Sequence, residues 1–144
     1  FLSVTKEGKS AIFNTAGNND CHIIHRGGYN KANYKSEDVR NSAKILKDNG
    51  MQPNIMIDAS HANSNKDFRM QSSVVEDISN QLLLGERNII GIMLESNLEE
   101  GNQKIASRDK LKYGQSITDS CIGWDETEDL IHKLDDTLKK VNEN

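Results

Sequence analysis

No stretch of this chain is apolar for the roughly 18 residues that a membrane-spanning helix needs, so no membrane partner is expected. Positive charge is not in excess either: 18 lysines and arginines against 22 aspartates and glutamates leave a formal charge of −4. A nucleic-acid partner is therefore not expected, because phosphates are held by a basic surface. Cysteine is scarce, with Cys21 and Cys121 alone. The start of the chain lacks the basic-then-apolar pattern of a signal peptide. The two cysteines therefore read as reduced thiols of a cytoplasmic protein, expected as small buried hydrophobes. Proline is rarer still: Pro53 is the only one. No low-complexity segment and no repeat of roughly 20–50 residues is found. What is present is a globular composition of 144 residues, 35% hydrophobic and 28% charged, about one small domain with a wet surface.

Along the chain, Phe1 to Val4 and Ala11 to Asn14 flank a polar segment containing Gly8 and predict a β-hairpin. Thr15 to Asp20 is turn chemistry. Cys21 to Arg26 reads as a strand ending at Gly27-Gly28. A helix is expected from a Ser36 cap to about Asp48, with Val39, Ala43 and Leu46 on one face and Asn49-Gly50 as its stop. Ile55 to Asp58 is the next strand. A second helix is expected to begin near Ser64 and to carry Phe68, Val75, Ile78 and Leu82 as far as Gly85. Asn88 to Leu94 reads as a nearly continuous apolar strand, the kind buried on both faces of a parallel sheet. A long loop is expected from Asn97 to Gln115. The last helix is expected from about Asp125 to Val141, with Asp125 and Glu128 as a capping box and Leu130, Leu134, Leu138 and Val141 as its stripe. Strand followed by helix, three times over, is the α/β pattern.

The strands end in polar residues: Arg26 after the first, His61 beyond the second and Glu95 after the third. In a parallel barrel those tips share one rim, where active sites of that architecture sit. By strand parity His61 shares a face with Ile55 and Ile57, and Glu95 with Met93 and Gly91. Converging there, an imidazole and a carboxylate suit a divalent cation, and a guanidinium suits phosphate or carboxylate. Each residue also has a plainer reading, as a hydrogen-bonded loop histidine, a solvated carboxylate or a surface-paired arginine. Periodicity alone leaves these alternatives open.

The wording of the segments goes further. Cys21-His22-Ile23-Ile24-His25-Arg26-Gly27-Gly28, Met56 to Lys66 (MIDASHANSNK), Gly91 to Gln103 (GIMLESNLEEGNQ) and Tyr113 to Trp124 (YGQSITDSCIGW) resemble, in order, four motifs of the class I DAHP synthases (3-deoxy-D-arabino-heptulosonate 7-phosphate synthases). Phe1 to Lys6 resembles the start of that family's inserted hairpin. Four long motifs together are far more specific than one short signature. The chain departs from the family pattern at Lys6-Glu7-Gly8-Lys9 and at Tyr29-Asn30-Lys31-Ala32.

The resemblance implies a transferase of the shikimate pathway of aromatic amino acid biosynthesis. Such an enzyme condenses phosphoenolpyruvate with erythrose 4-phosphate and releases phosphate. It implies metal ligands at His61, Glu95 and Asp119, with Mn, Fe, Co or Zn all suitable. Arg26 is implied as the arginine that holds the phosphoenolpyruvate phosphate, so that His61 and Arg26 carry the catalytic roles. The family's fourth ligand, a cysteine on the first barrel strand, has no counterpart, and Cys21 and Cys121 sit in other motifs. The hairpin implies feedback inhibition by an aromatic amino acid at Phe1, Ser3 and Phe13, with Ser3 favouring phenylalanine over tyrosine. The plainer alternative is that Phe1 and Phe13 pack the hairpin onto its neighbour.

The expected fold is α/β, the C-terminal portion (about strands six to eight plus an inserted hairpin) of a (β/α)8 barrel. Residues 1–20 form the hairpin, residues 21–144 form three βα units, and the N-terminal half is absent. Three strands cannot close a barrel that usually takes about 250 residues, so the chain is expected to be a piece of a longer protein. It is expected to be inactive alone, because one metal ligand and most of the phosphate ligands are missing, and the resemblance implies a homo-oligomer, a dimer or tetramer, at full length. A truncated, non-catalytic piece that binds at most metal or a partner chain is the alternative.

Overall fold

The computed structural model describes residues 1–18, 20–29 and 31–143. Asn19 of the expected turn and Asn30 of the loop after Gly28 lie outside them. The chain opens with an antiparallel hairpin, β1 (Leu2–Val4) against β2 (Ser10–Ile12), in the register Leu2↔Ile12. Gly8 takes the turn with φ +77°, a left-handed conformation that a side chain would strain.

Three parallel strands follow in the order β3 (Ile23–His25), β4 (Ile55–Asp58), β5 (Ile89–Met93). Helix α1 (Ser36–Asp48) connects the first two, α2 (Gln71–Leu83) the next two, and α3 (Trp124–Asn142) follows the last. Central β4 buries Ile55 and Ile57 completely, in one cluster with Val39, Ala43 and Leu46 of α1 and with Val74, Val75, Ile78 and Leu82 of α2. The α1 residues recur every three or four positions, so one stripe of the helix meets the sheet. Each buried isoleucine contributes about 1.5–3 kcal/mol.

Several expectations are corrected. Ser64 does not start the second helix. His61–Ser64 and Phe68–Met70 are single 3-10 turns and α2 begins at Gln71. The cause is local: His61, Asn65 and Lys66 all have positive φ (+49°, +54° and +60°), which a right-handed helix cannot contain. Ser36 does not cap α1, where Lys35 holds the cap position, and Asp125 with Glu128 does not cap α3, where Gly123 does. Asp125 and Glu126 instead lie in the first turn of α3, where negative charge suits the helix dipole. The stripe of α3 also shifts: Leu138 is exposed, while Thr127 and Thr137 are buried and donate their hydroxyls to the carbonyls of Gly123 and Lys133.

The segment 97–115 is not a plain loop. It holds β6 (Glu99–Asn102), which pairs in parallel with β7 (Gln115–Ser116). Nor is β5 buried on both faces. Among the described residues it is an edge strand, paired only with β4, and Ile90 and Met93 are 51% and 39% exposed. Of the thiols, Cys121 is buried and Cys21 is exposed; both are free.

A candidate metal centre at the strand ends

Because β3, β4 and β5 run parallel, their C-terminal ends gather on one edge of the sheet. Arg26 follows β3 directly, the 3-10 turn carrying His61 follows β4, and Glu95 follows β5 by two residues. Together with Ser64, Lys66, Phe68, Asp119 and Ser120 they line a cavity of about 110 Å³. One nitrogen or oxygen from each of His61, Glu95 and Asp119 lies within 4.8 Å of the other two.

Strand parity does not produce this meeting. β4 ends at Asp58, and the face of Ile55 and Ile57 packs into the core with the helices. His61 is aimed instead by the strained turn and by a buried carboxylate. Its Nδ1 is 2.7 Å from Asp58 Oδ2 and 2.8 Å from Ser60 Oγ. Ser60 donates both its hydroxyl and its backbone N–H to Asp58 Oδ1, so Asp58 accepts the Nδ1 proton. This assigns the tautomer and leaves the Nε2 lone pair for the cavity, where it lies 3.4 Å from Glu95 Oε1. The only non-glycine residues with positive φ among the described residues are His61, Asn65 and Lys66. Backbone strain of that kind concentrates at functional sites.

The carboxylates crowd each other. Burial pushes the Glu95 carboxyl above its ordinary range; His61 opposes the shift, the charges of Asp119 and Asp58 add to it, and Arg26 weakly opposes it. A divalent cation between them would relieve both the burial and the repulsion. One neutral imidazole nitrogen and two carboxylates are a donor set that fits such an ion.

The motif also builds its own scaffold. Asn63, buried, donates through Nδ2 to the carbonyls of His25 (3.0 Å) and Asp58 (2.8 Å), and its Oδ1 accepts the N–H of Asn33 (2.8 Å). It thus ties the end of β3 to the end of β4. His25, also buried, must donate Nδ1–H to the Asn33 carbonyl (2.6 Å) and so accepts from the Ser42 hydroxyl at Nε2 (2.8 Å).

Gly27 has φ +71°, and a Cβ there would fall 2.7 Å from the Ala62 Cβ. Gly27→Ala is therefore expected to destabilise the chain by about 2 kcal/mol or more, combining left-handed strain with a clash. Gly8→Ala, strained but in open space, should lose about 1 kcal/mol. Urea titrations of the two variants measure the difference, and equal losses would remove the role given to Ala62.

Arg26, His61 and Glu95, expected on the rim, and Asp119, implied as a metal ligand, line the same cavity. Phe1 and Phe13 stack on each other at 5.7 Å with rings 15° apart, and the exposed Ser3 lies on β1 between them and the turn. Sequence reasoning missed Asp58, Asn63 and Lys66 as parts of the site. Asp58, three residues before His61, carried a signal in its position at the strand tip.

Comparison with known proteins identifies the relatives of this chain. The model of the DAHP synthetase I family matches residues 2–132. The phenylalanine-sensitive phospho-2-dehydro-3-deoxyheptonate aldolase of Escherichia coli is 50% identical over 139 residues, covering 96% of this chain and 39% of the relative. The phenylalanine-inhibited aldolase of Saccharomyces cerevisiae is 49% identical over 141 residues, covering 93% and 38%. The structure of the aldolase from Francisella tularensis superposes with a TM-score of 0.86 at 42% identity, covering 98% of this chain and 41% of that one. The chain thus spans about two-fifths of the length of the relatives it matches. A mixed α/β fold shared with a solved aldolase, and a family model matched nearly from end to end, lead to one statement: this chain belongs to the DAHP synthetase I family.

Proposed function

We propose that the chain is the C-terminal part of a (β/α)8 barrel that condenses phosphoenolpyruvate with erythrose 4-phosphate, with residues 1–20 as an inserted hairpin and 21–144 as three βα units. The observation that carries this reading is the convergence of His61, Glu95 and Asp119 within 4.8 Å beside Arg26. The fragment reading is supported by the share of each relative covered. It is also supported by a three-stranded sheet with two open edges and with Ile24 and Ile90 about half exposed.

In this reading His61 Nε2 and the two carboxylates hold a divalent cation, Mn, Fe, Co or Zn. When bound, the metal supplies a Lewis acid for the aldehyde oxygen. Asp58 keeps the His61 ring oriented, with its proton on Nδ1. Arg26 takes the phosphate of phosphoenolpyruvate, its charge also opposing that of Glu95 across the cavity. The 3-10 turn bearing His61 keeps the ring from swinging away, so the substrates meet a fixed site.

A chimera tests the proposal. The corresponding C-terminal segment of the Escherichia coli relative would be replaced by residues 2–143, and release of phosphate from the two substrates followed. The chimera is expected to be active and the 144-residue chain alone inactive. A folded, metal-loaded chimera without turnover would remove the activity, and turnover by the chain alone would remove the partial-barrel reading.

The hairpin supports a second element of the same proposal, inhibition by phenylalanine at Phe1, Ser3 and Phe13. The two rings form an exposed aromatic platform, against which a third ring packs well.

A further inference from the structure

Glu95 lies beyond β5, past the end of the ladder to β4. The ladder to β4 ends where the Ala59 N–H donates to the Met93 carbonyl at 2.9 Å. A side chain replaces the strand there. Gln71, the first residue of α2 and fully buried, accepts the Glu95 N–H at Oε1 (2.9 Å) and donates from Nε2 to the Glu95 carbonyl (3.0 Å). In extended backbone the N–H and C=O of one residue point the same way, so a single primary amide can satisfy both, as a paired strand would.

The grip extends further. The Glu95 carbonyl also accepts the Ile122 N–H at 3.0 Å, and the Ile122 carbonyl accepts the Asn97 N–H at 3.0 Å. Ile122 is fully buried and lies three residues after Asp119. The chain of contacts therefore runs from α2 through Gln71 to Glu95, and from Glu95 to the segment that presents Asp119. α2 itself is anchored by Val74, Val75 and Ile78 in the core.

We infer that Gln71 is a positioning residue for the metal centre: its side-chain amide clamps the Glu95 peptide and thereby sets the spacing of the Glu95 and Asp119 carboxylates. The inference rests on the metal reading proposed above. A merely structural glutamine, bonded because it is buried, would change stability when replaced but not the geometry of a bound ion. A clamp changes both.

Co²⁺ is the probe, since its visible absorption reports the number and arrangement of its ligands. Gln71→Leu removes both hydrogen bonds at nearly constant volume. It is expected to weaken Co²⁺ binding by about 10–100-fold, the range for partners that orient metal ligands, and to change the absorption spectrum. Gln71→Asn, which withdraws the amide by one methylene, covers the case in which the leucine variant does not fold, and should move both readouts in the same direction. Val75→Ala, one turn further along α2 and fully buried, is the control. It should lower the melting temperature while leaving affinity and spectrum unchanged.

The inference is overturned if the Gln71 variants bind Co²⁺ with the affinity and spectrum of the unsubstituted chain. It is equally overturned if Val75→Ala shifts them as much. An unsubstituted chain that takes up no Co²⁺ overturns the metal reading and this inference together. Uptake that depends on His61 but ignores Gln71 overturns the inference alone.

Discussion

Replacing His61 by alanine is expected to weaken Mn²⁺ binding by at least about 100-fold, beyond the loss typical of an outer partner. The imidazole is the one nitrogen donor of the cluster. Its Nδ1 is engaged by Asp58 at 2.7 Å, so Nε2 is the atom offered to a cation. Alanine leaves two carboxylates, one of them already pushed towards its protonated form by burial. The fold should survive the change. Asp58 keeps the N–H and hydroxyl of Ser60 as donors, and alanine, like histidine, carries a single unbranched Cβ into the left-handed backbone at this position. Calorimetric titration with Mn²⁺ measures the effect, and binding indistinguishable from that of the unsubstituted chain would take His61 out of the site.

Asn63→Leu should cause the largest loss of stability among single side chains of the rim, about 3 kcal/mol or more. Three buried or half-buried backbone groups lose their partner at once: the carbonyls of His25 and Asp58 and the N–H of Asn33. Each unsatisfied group costs about 1–3 kcal/mol. Leucine of similar size returns some apolar burial but no hydrogen bond. For a chain of this size such a loss lowers the melting temperature by roughly 10 °C. A thermal scan or a urea titration measures it. A loss under about 1 kcal/mol would mean that the ends of β3 and β4 are held together by packing and not by this amide.

Much of the fold was legible before any coordinates. The β4 strand ran from Ile55 to Asp58 as expected, and α1 from Ser36 to Asp48, because hydrophobic period and flanking Pro53, Asn49 and Gly50 all pointed the same way. The segment after β4 was misread for a definite reason. Ser64 has the chemistry of a helix cap, but its hydroxyl bonds the carbonyl of His61 within a 3-10 turn. Period and propensity do not register three departures into positive φ within six residues. The paired strands inside 97–115 were invisible for a related reason: β6 reads Glu-Glu-Gly-Asn, with no alternation of apolar and polar residues.

The candidate metal site divides along the same line. The residue types at 26, 61, 95 and 119 were set by the motifs they stand in, and so was the family. The linear order of residues settles which chemical groups are available and which local periods form helices and strands, since those depend on neighbours a few positions apart. The proton fixed on Nδ1 by Asp58 is a local contact, three residues apart. That the imidazole meets two carboxylates, and that Gln71 holds the peptide of Glu95 24 positions away, required the folded chain to bring distant segments together. Only the folded chain decides such contacts, because they depend on the direction and spacing of elements that the sequence lists one after another.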